Sequence, residues 1–195
     1  TLSSSSAASD VYKRQVLEEE WLFEAITETY VPLLQMFEGL KRDGIDFKMT
    51  MSMTPPLVSM LRDPLLQERY DAHLQLLEEL LQKEIVHNKH NGHVLYLAEY
   101  YAESFRQIRQ TWESYDRDLV KAFKQFLDSN NLEIITCGAT HGYMPLMKMY
   151  PQAVWAQIQV ACEHYQENFG RPPQGIWLPE CAYFEGLERM LADVG

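Results

Sequence analysis

Successive segments of this chain switch between helical and strand-like hydrophobic periods, and the order of the switches restricts the folds open to it. From Glu18 the apolar positions Leu22, Ala25, Ile26, Thr29, Leu33, Phe37 and Leu40 recur at helical spacing. They predict a helix that Pro32 breaks or kinks and that ends at Gly44 as a C-cap. Asp46 to Met53 then alternates, with Phe47, Met49, Met51 and Met53 on one side, predicting a strand that stops in a loop at Thr54-Pro55-Pro56. Asp63-Pro64 opens a helix with a buried stripe of Leu66, Tyr70, Leu74, Leu77, Leu81 and Ile85, and a further helical region runs from about Val94 to Asp128. Leu132 to Thr136 predicts a strand, Ala153 to Phe169 a helix closing before Gly170-Arg171-Pro172-Pro173, Gly175 to Leu178 a strand, and Phe184 onward another helix. Helices alternating with short strands are the mark of parallel βα units. Three strands do not close a barrel, so the expectation is an α/β chain forming part of a parallel TIM-like barrel, with a helical insertion at 63–128 and truncation at both ends.

The first fifteen residues do not share this texture. Thr1 to Gln15 is Ser/Ala-rich and aperiodic, and is read as a non-native leader; residues 16–195 are read as one continuous portion of a domain.

Charge narrows the ligand. Seventeen Lys and Arg against 28 Asp and Glu give a net charge of −11, which repels nucleic acid and anionic lipid and favours a neutral or cationic ligand. Cysteines 137, 162 and 181 have no C-x-x-C spacing, so no disulfide framework or zinc ribbon is expected, and a reducing cytoplasm is the natural inference. No apolar run has the length of a transmembrane helix, and no basic-then-apolar signal opens the chain.

In parallel α/β proteins the chemistry sits at the carboxyl ends of the strands. Here those ends carry Thr54-Pro55-Pro56, Cys137-Gly138-Ala139-Thr140-His141-Gly142-Tyr143 and Pro179-Glu180-Cys181-Ala182-Tyr183. Glu180 is a carboxylate suited to attacking or stabilising a glycosyl cation, and Trp177 and Tyr183 offer flat faces to the apolar side of a pyranose. Pro179-Glu180 equally suits the opening turn of a helix, where the dipole favours an acid. His141, bracketed by glycines, either hydrogen-bonds a sugar hydroxyl or the Glu180 carboxylate, or ties its own loop, and Tyr143 shares that ambiguity. Cys137 and Cys181 read as small packing residues. His87, His90 and His93 have metal-like spacing without a carboxylate or thiolate anchor, and are set aside. Trp21, Tyr100, Tyr101, Trp112, Tyr115 and Trp155, all at helical positions, are expected to pack rather than to face a ligand.

The segments Leu132 to Tyr143 and Trp177 to Tyr183 resemble two signature regions of glycoside hydrolase family 57. Glu19 to Tyr30 and Met49 to Pro56 resemble that family's 1,4-α-glucan branching enzymes, and the likeness covers nearly everything from Leu17 to Gly195. It implies a retaining α-glucan enzyme on a seven-stranded (β/α) barrel, with Glu180 as nucleophile and His141, Trp177, Tyr143 and Tyr183 at the substrate. It implies neither metal nor organic cofactor, an α-glucan such as amylose as the partner, and branching as the activity, with family 57 amylase, 4-α-glucanotransferase or a non-catalytic glucan-binding relative as alternatives. Retention needs a second carboxylate about 5–5.5 Å from the first. The resemblance places that acid/base aspartate beyond Gly195, and places a His-x-His-x-Pro first strand where residues 1–15 stand.

Overall fold

A computed structural model describes residues 17–194 and shows a mixed α/β chain with three parallel strands and long helices. The expected leader at 1–15 lies outside the described residues. Two compact units emerge: the described residues up to Gly39 with Pro64–Leu119, and Leu40–Asp63 with the described residues from Val120 on.

The first unit is helical. Residues 17–25 (α1) run through a π-helical stretch, Ile26–Tyr30, into α2 (Val31–Arg42), and α4 (Pro64–His87) and α5 (Gly92–Ser114) form an antiparallel pair. Pro32 therefore neither ends nor interrupts the first helix. The wide turn just before it absorbs the misfit: Val31 N–H reaches back five residues to the Ile26 carbonyl, loosening the turn against which a proline ring otherwise clashes. One extra residue in that turn rotates the apolar face. Leu22, Ile26 and Phe37 are buried as expected, but Val31 and Leu34 are buried where the spacing did not place them, while Thr29 is exposed and Leu33 only half-buried.

At the centre of this unit Tyr70 is fully buried and touches its neighbours through both ring and hydroxyl. It shares a 3.0 Å hydrogen bond with the Thr27 hydroxyl, and its ring lies edge-on to Trp112 at 5.0 Å. Trp112 in turn donates its indole N–H to Asp71 Oδ1 at 2.8 Å, so the bulkiest buried side chain leaves no polar atom unpaired. Arg109 to Glu78, at 2.7 Å, ties α5 to α4, and Gln35 to Thr111, at 2.9 Å, ties α2 to α5. The expectation that all six helical aromatics pack is corrected here. Trp112 is buried and Tyr115 half-buried with its hydroxyl on Glu38, but Trp21, Tyr100 and Tyr101 are more than half exposed and Trp155, in the second unit, is 38% exposed. Helical spacing locates a face but does not say whether a neighbour covers it.

The second unit holds the sheet, ordered β1 (Met49–Ser52), β2 (Leu132–Cys137), β3 (Ile176–Trp177), all parallel. Gly44, at φ 71°, closes α2 as expected: its N–H meets the Lys41 carbonyl and the Ile45 N–H the Leu40 carbonyl, the paired bonds of a left-handed helix stop. β1 is shorter than the alternation predicts, with Met49 exposed and Met53 buried just past its end. Thr54-Pro55-Pro56 is not a loop. Thr54 accepts the Leu57 N–H on its side chain and Pro55 occupies the first position of α3 (Pro55–Arg62), where a missing N–H costs nothing.

α6 (Leu119–Asp128) and α8 (Pro151–Phe169) each turn an apolar face inward, Val120, Phe123 and Phe126 from one and Val154, Ile158, Ala161, Tyr165 and Phe169 from the other. The Tyr165 hydroxyl donates to the Ile134 carbonyl at 2.7 Å, anchoring α8 to the central strand. The region expected as one helix from 94 to 128 is two, because Asp116 and Arg117 adopt positive φ and reverse the chain. α7 (Met144–Met147) and α9 (Leu187–Ala192) are short, and Met144 and Leu187 join Val154 and Ile158 in one buried cluster.

These contacts set an expected contrast in stability. Replacing buried Trp112 by alanine removes a ring and takes the indole donor from Asp71, which keeps Arg117 at 3.0 Å, so unfolding in urea should show a loss of about 3–5 kcal/mol, whereas Trp21→Ala on an exposed face should cost within about 0.5 kcal/mol. Equal losses at the two positions would contradict the packing described.

Candidate functional site

Pairing β2 with β3 in parallel brings two strand ends to the same edge of the sheet. Cys137 stands opposite Trp177 in the register, so the chain leaving each strand starts from the same level. His141 follows four residues after Cys137, and Glu180 three after Trp177. Their side chains meet: His141 Nε2 lies 3.0 Å from Glu180 Oε1. The side chains remain 48% and 68% exposed, leaving the pair open to an incoming ligand.

Both residues are held in uncommon backbone conformations. His141 has φ 57°, and Glu180 and Cys181 have φ 54° and 55°, in the left-handed region that costs a non-glycine residue about 1–2 kcal/mol. For Glu180 that conformation rules out a regular helix opening. Pro179–Cys181 is instead a single tight turn, closed by the Cys181 N–H on the Leu178 carbonyl at 2.9 Å. Such strain persists where the surroundings over-determine it, and it gathers at sites of function.

The surroundings of His141 are well specified. Gln157, one turn along α8 from Val154, accepts the Thr140 N–H at 3.0 Å and the Gly142 N–H at 3.3 Å on its side-chain oxygen, and donates to the Thr140 hydroxyl at 2.7 Å. Its backbone carbonyl takes the Ala139 N–H at 2.9 Å. One residue thus satisfies the loop on both sides of His141. Gly138 allows the close approach this needs, because a Cβ there would lie 3.1 Å from the Pro179 ring and 3.2 Å from the Gln157 oxygen. On the other side of the imidazole, Cys137 Sγ lies 3.5 Å from Nδ1; that sulfur is wholly buried, and burial pushes its thiol pKa up.

The aromatic candidates lie within three residues of His141 or Glu180 along the chain. Trp177 ends β3 and is 53% exposed, and Tyr143 stands exposed at the N-cap of α7. Tyr183 is exposed too, but its hydroxyl donates to Glu188 Oε2 at 2.7 Å, and the same oxygen accepts the Gly186 N–H at 2.9 Å. Those bonds hold the Glu188 carboxyl below its usual range and tie the loop after Glu180 to the start of α9. Cys181 is exposed, against the packing role expected for it, whereas Cys137 is buried. Among the described residues no group of three or more His, Cys, Asp or Glu is placed to hold a metal ion, His87, His90 and His93 included.

Sequence reasoning missed Gln157 and the place of Cys137 beside the imidazole. Gln157 left a faint signal: it is a polar residue within the run Val154, Ile158, Ala161 that faces the core. Cys137 left none, since a buried thiol and a hydrogen-bonding thiol look alike in a sequence.

Known proteins share the fold of this chain. The fold of this chain superposes on the α-amylase AmyC from Thermotoga maritima with a TM-score of 0.87 at 45% identity, covering 91% of this chain and 34% of that one. It superposes on a branching enzyme from Thermococcus kodakaraensis with a TM-score of 0.85 at 32% identity, again over 91% and 34%. In sequence, a 1,4-α-glucan branching enzyme of Thermococcus kodakarensis is 36% identical over 166 residues, which are 85% of this chain and 24% of the relative. The chain thus spans a quarter to a third of the length of these proteins, and its parallel strands and helices form part of a (β/α)7 barrel. Residues 8–195 match Glycosyl hydrolase family 57, and the chain belongs to that family.

Proposed function

We propose that Glu180 is the nucleophile of a retaining α-glucan-active site, with His141 as the group that orients it, and that the activity is 1,4-α-glucan branching. The observation that carries the reading is the 3.0 Å contact between His141 Nε2 and Glu180 Oε1 at neighbouring parallel strand ends. A hydrogen bond from the ring fixes one carboxylate oxygen and leaves the other free for an anomeric carbon. The strained backbone at both residues fits a site that is set in place before substrate arrives.

In this mechanism Glu180 displaces the 4-linked glucan and holds the donor chain as a covalent ester. The second carboxylate that a retaining mechanism requires protonates the leaving oxygen and then activates the acceptor. Transfer to a 6-hydroxyl rather than to water makes a branch. Trp177, Tyr143 and Tyr183 supply the exposed rings on which pyranoses stack. A second reading, α-glucan hydrolysis, is favoured by the 45% identity to the Thermotoga maritima amylase, above the 32% to the branching enzyme structure. The two readings separate on product: the complete enzyme acting on amylose yields debranching-sensitive 1,6 linkages with few new reducing ends if it transfers, and reducing ends alone if it hydrolyses.

Three substitutions in the complete enzyme test the residue roles. Glu180→Gln keeps shape but loses the attacking charge, so turnover should fall by several orders of magnitude with little change in melting temperature; retention of more than about a tenth of turnover removes Glu180 as nucleophile. His141→Ala should lower turnover by a factor of about 10²–10³. Near-normal turnover with a lowered melting temperature would instead make the histidine a loop tie. Gln157→Ala leaves water in place of the Gln157 oxygen at the Thr140 and Gly142 N–H groups, and should both destabilise the chain by about 0.5–1.5 kcal/mol and lower turnover, because the loop that aims His141 loosens. Lost stability with full turnover would show that the loop's order does not matter to the reaction.

A further inference from the structure

We infer that Cys137 is a positioning residue: its thiol donates to Nδ1 of the neutral His141 ring and so keeps the ring's own hydrogen on Nε2, facing Glu180. The inference rests on the reading of His141 and Glu180 as the reacting pair, but it concerns a state of the imidazole that is observable without any turnover.

The geometry holds the ring at both nitrogens. Nε2 lies 3.0 Å from a carboxylate oxygen and Nδ1 lies 3.5 Å from a sulfur. A neutral imidazole has one donor and one acceptor nitrogen, and an ionised carboxylate only accepts. Nε2 must then donate to Glu180, which leaves Nδ1 as an acceptor in need of a hydrogen. A thiol supplies one; a thiolate does not. Burial of Cys137 favours the uncharged thiol, so the sulfur beside Nδ1 retains its S–H. The reverse arrangement, with Nδ1–H pointing at sulfur, turns the lone pair of Nε2 toward the Glu180 carboxylate and is repulsive.

The fold makes the sulfur a fixed reference. Cys137 is the last residue of β2, its backbone pairs with Trp177, and its side chain has no exposure to solvent. The His141 loop returns over it because residue 141 takes a left-handed conformation and Gln157 pins the residues on either side.

The test is the tautomer of His141, read from ring 15N shifts of the complete enzyme labelled at histidine, at a pH where the ring is neutral, with His141→Gln assigning the signals. The wild-type chain should carry its hydrogen on Nε2. Since the Glu180 carboxylate alone also favours that form, the share due to the thiol is read in the E180Q background: E180Q should keep the Nε2–H form, and C137A/E180Q should show the Nδ1–H form rising several-fold. C137V/E180Q, which fills the volume without a donor, carries the same expectation should the alanine variant unfold. A wild-type ring protonated at Nδ1, or identical tautomer populations in E180Q and both cysteine double variants, overturns the proposal. Failure of Glu180→Gln to abolish turnover would sink the nucleophile assignment while leaving these spectra unaffected, so the two ideas fail separately.

Discussion

Everything at the site depends on the parallel register between β2 and β3. Because Cys137 sits opposite Trp177, the loops that follow the two strands start level and converge within a few residues. A one-residue slip would move the alternation of both strands to opposite faces and carry Glu180 away from His141. The Tyr165 hydroxyl on the Ile134 carbonyl ties α8 to the central strand, and Met144, Val154, Ile158 and Leu187 form the buried cluster next to it. Core packing thereby becomes side-chain geometry at the edge where a glucan is proposed to bind.

The pair is aimed by strain as well as by register. Three devices act on the His141 loop: Gly138, whose missing Cβ lets the chain pass close to Pro179, a glutamine from α8 that satisfies the amides on either side, and a sulfur beside the ring. Each of the left-handed residues His141 and Glu180 costs about 1–2 kcal/mol, a charge comparable to what a few hydrogen bonds return. On the far side, Glu188 gathers the Tyr183 hydroxyl and the Gly186 N–H, so the loop leaving Glu180 is fastened too. The proposed nucleophile thus sits between two loops that are each tied down by a polar side chain.

Much of the fold was legible in the sequence, and the places where it was not have particular causes. The three strands, the stop at Gly44, the helix opening at Pro64 and the helix closing at Gly170 follow from period, proline and glycine. The first helix departs from its predicted face because a π turn before Pro32 inserts one residue, and no 3.6-residue window detects that. Thr54-Pro55-Pro56 was mistaken for a loop because prolines after a strand look like a breaker, whereas behind a capping threonine they start a helix. Exposed Trp21, Tyr100 and Tyr101 show the limit of periodicity in another way, since it orders residues on a helix without naming what lies opposite.

By itself, then, the sequence determined the α/β alternation, the strand ends that carry Glu180 and His141, and the family whose signature segments surround them. Local rules suffice for these, because period, turn chemistry and motif are properties of neighbours along the chain. Only the tertiary structure decided that His141 points at Glu180, that Gln157 clamps the loop between them, and that the Cys137 sulfur lies against the ring. Those contacts join residues up to 39 positions apart through the register of two strands and the seating of a helix, and such distances are settled by packing in three dimensions rather than by any local preference.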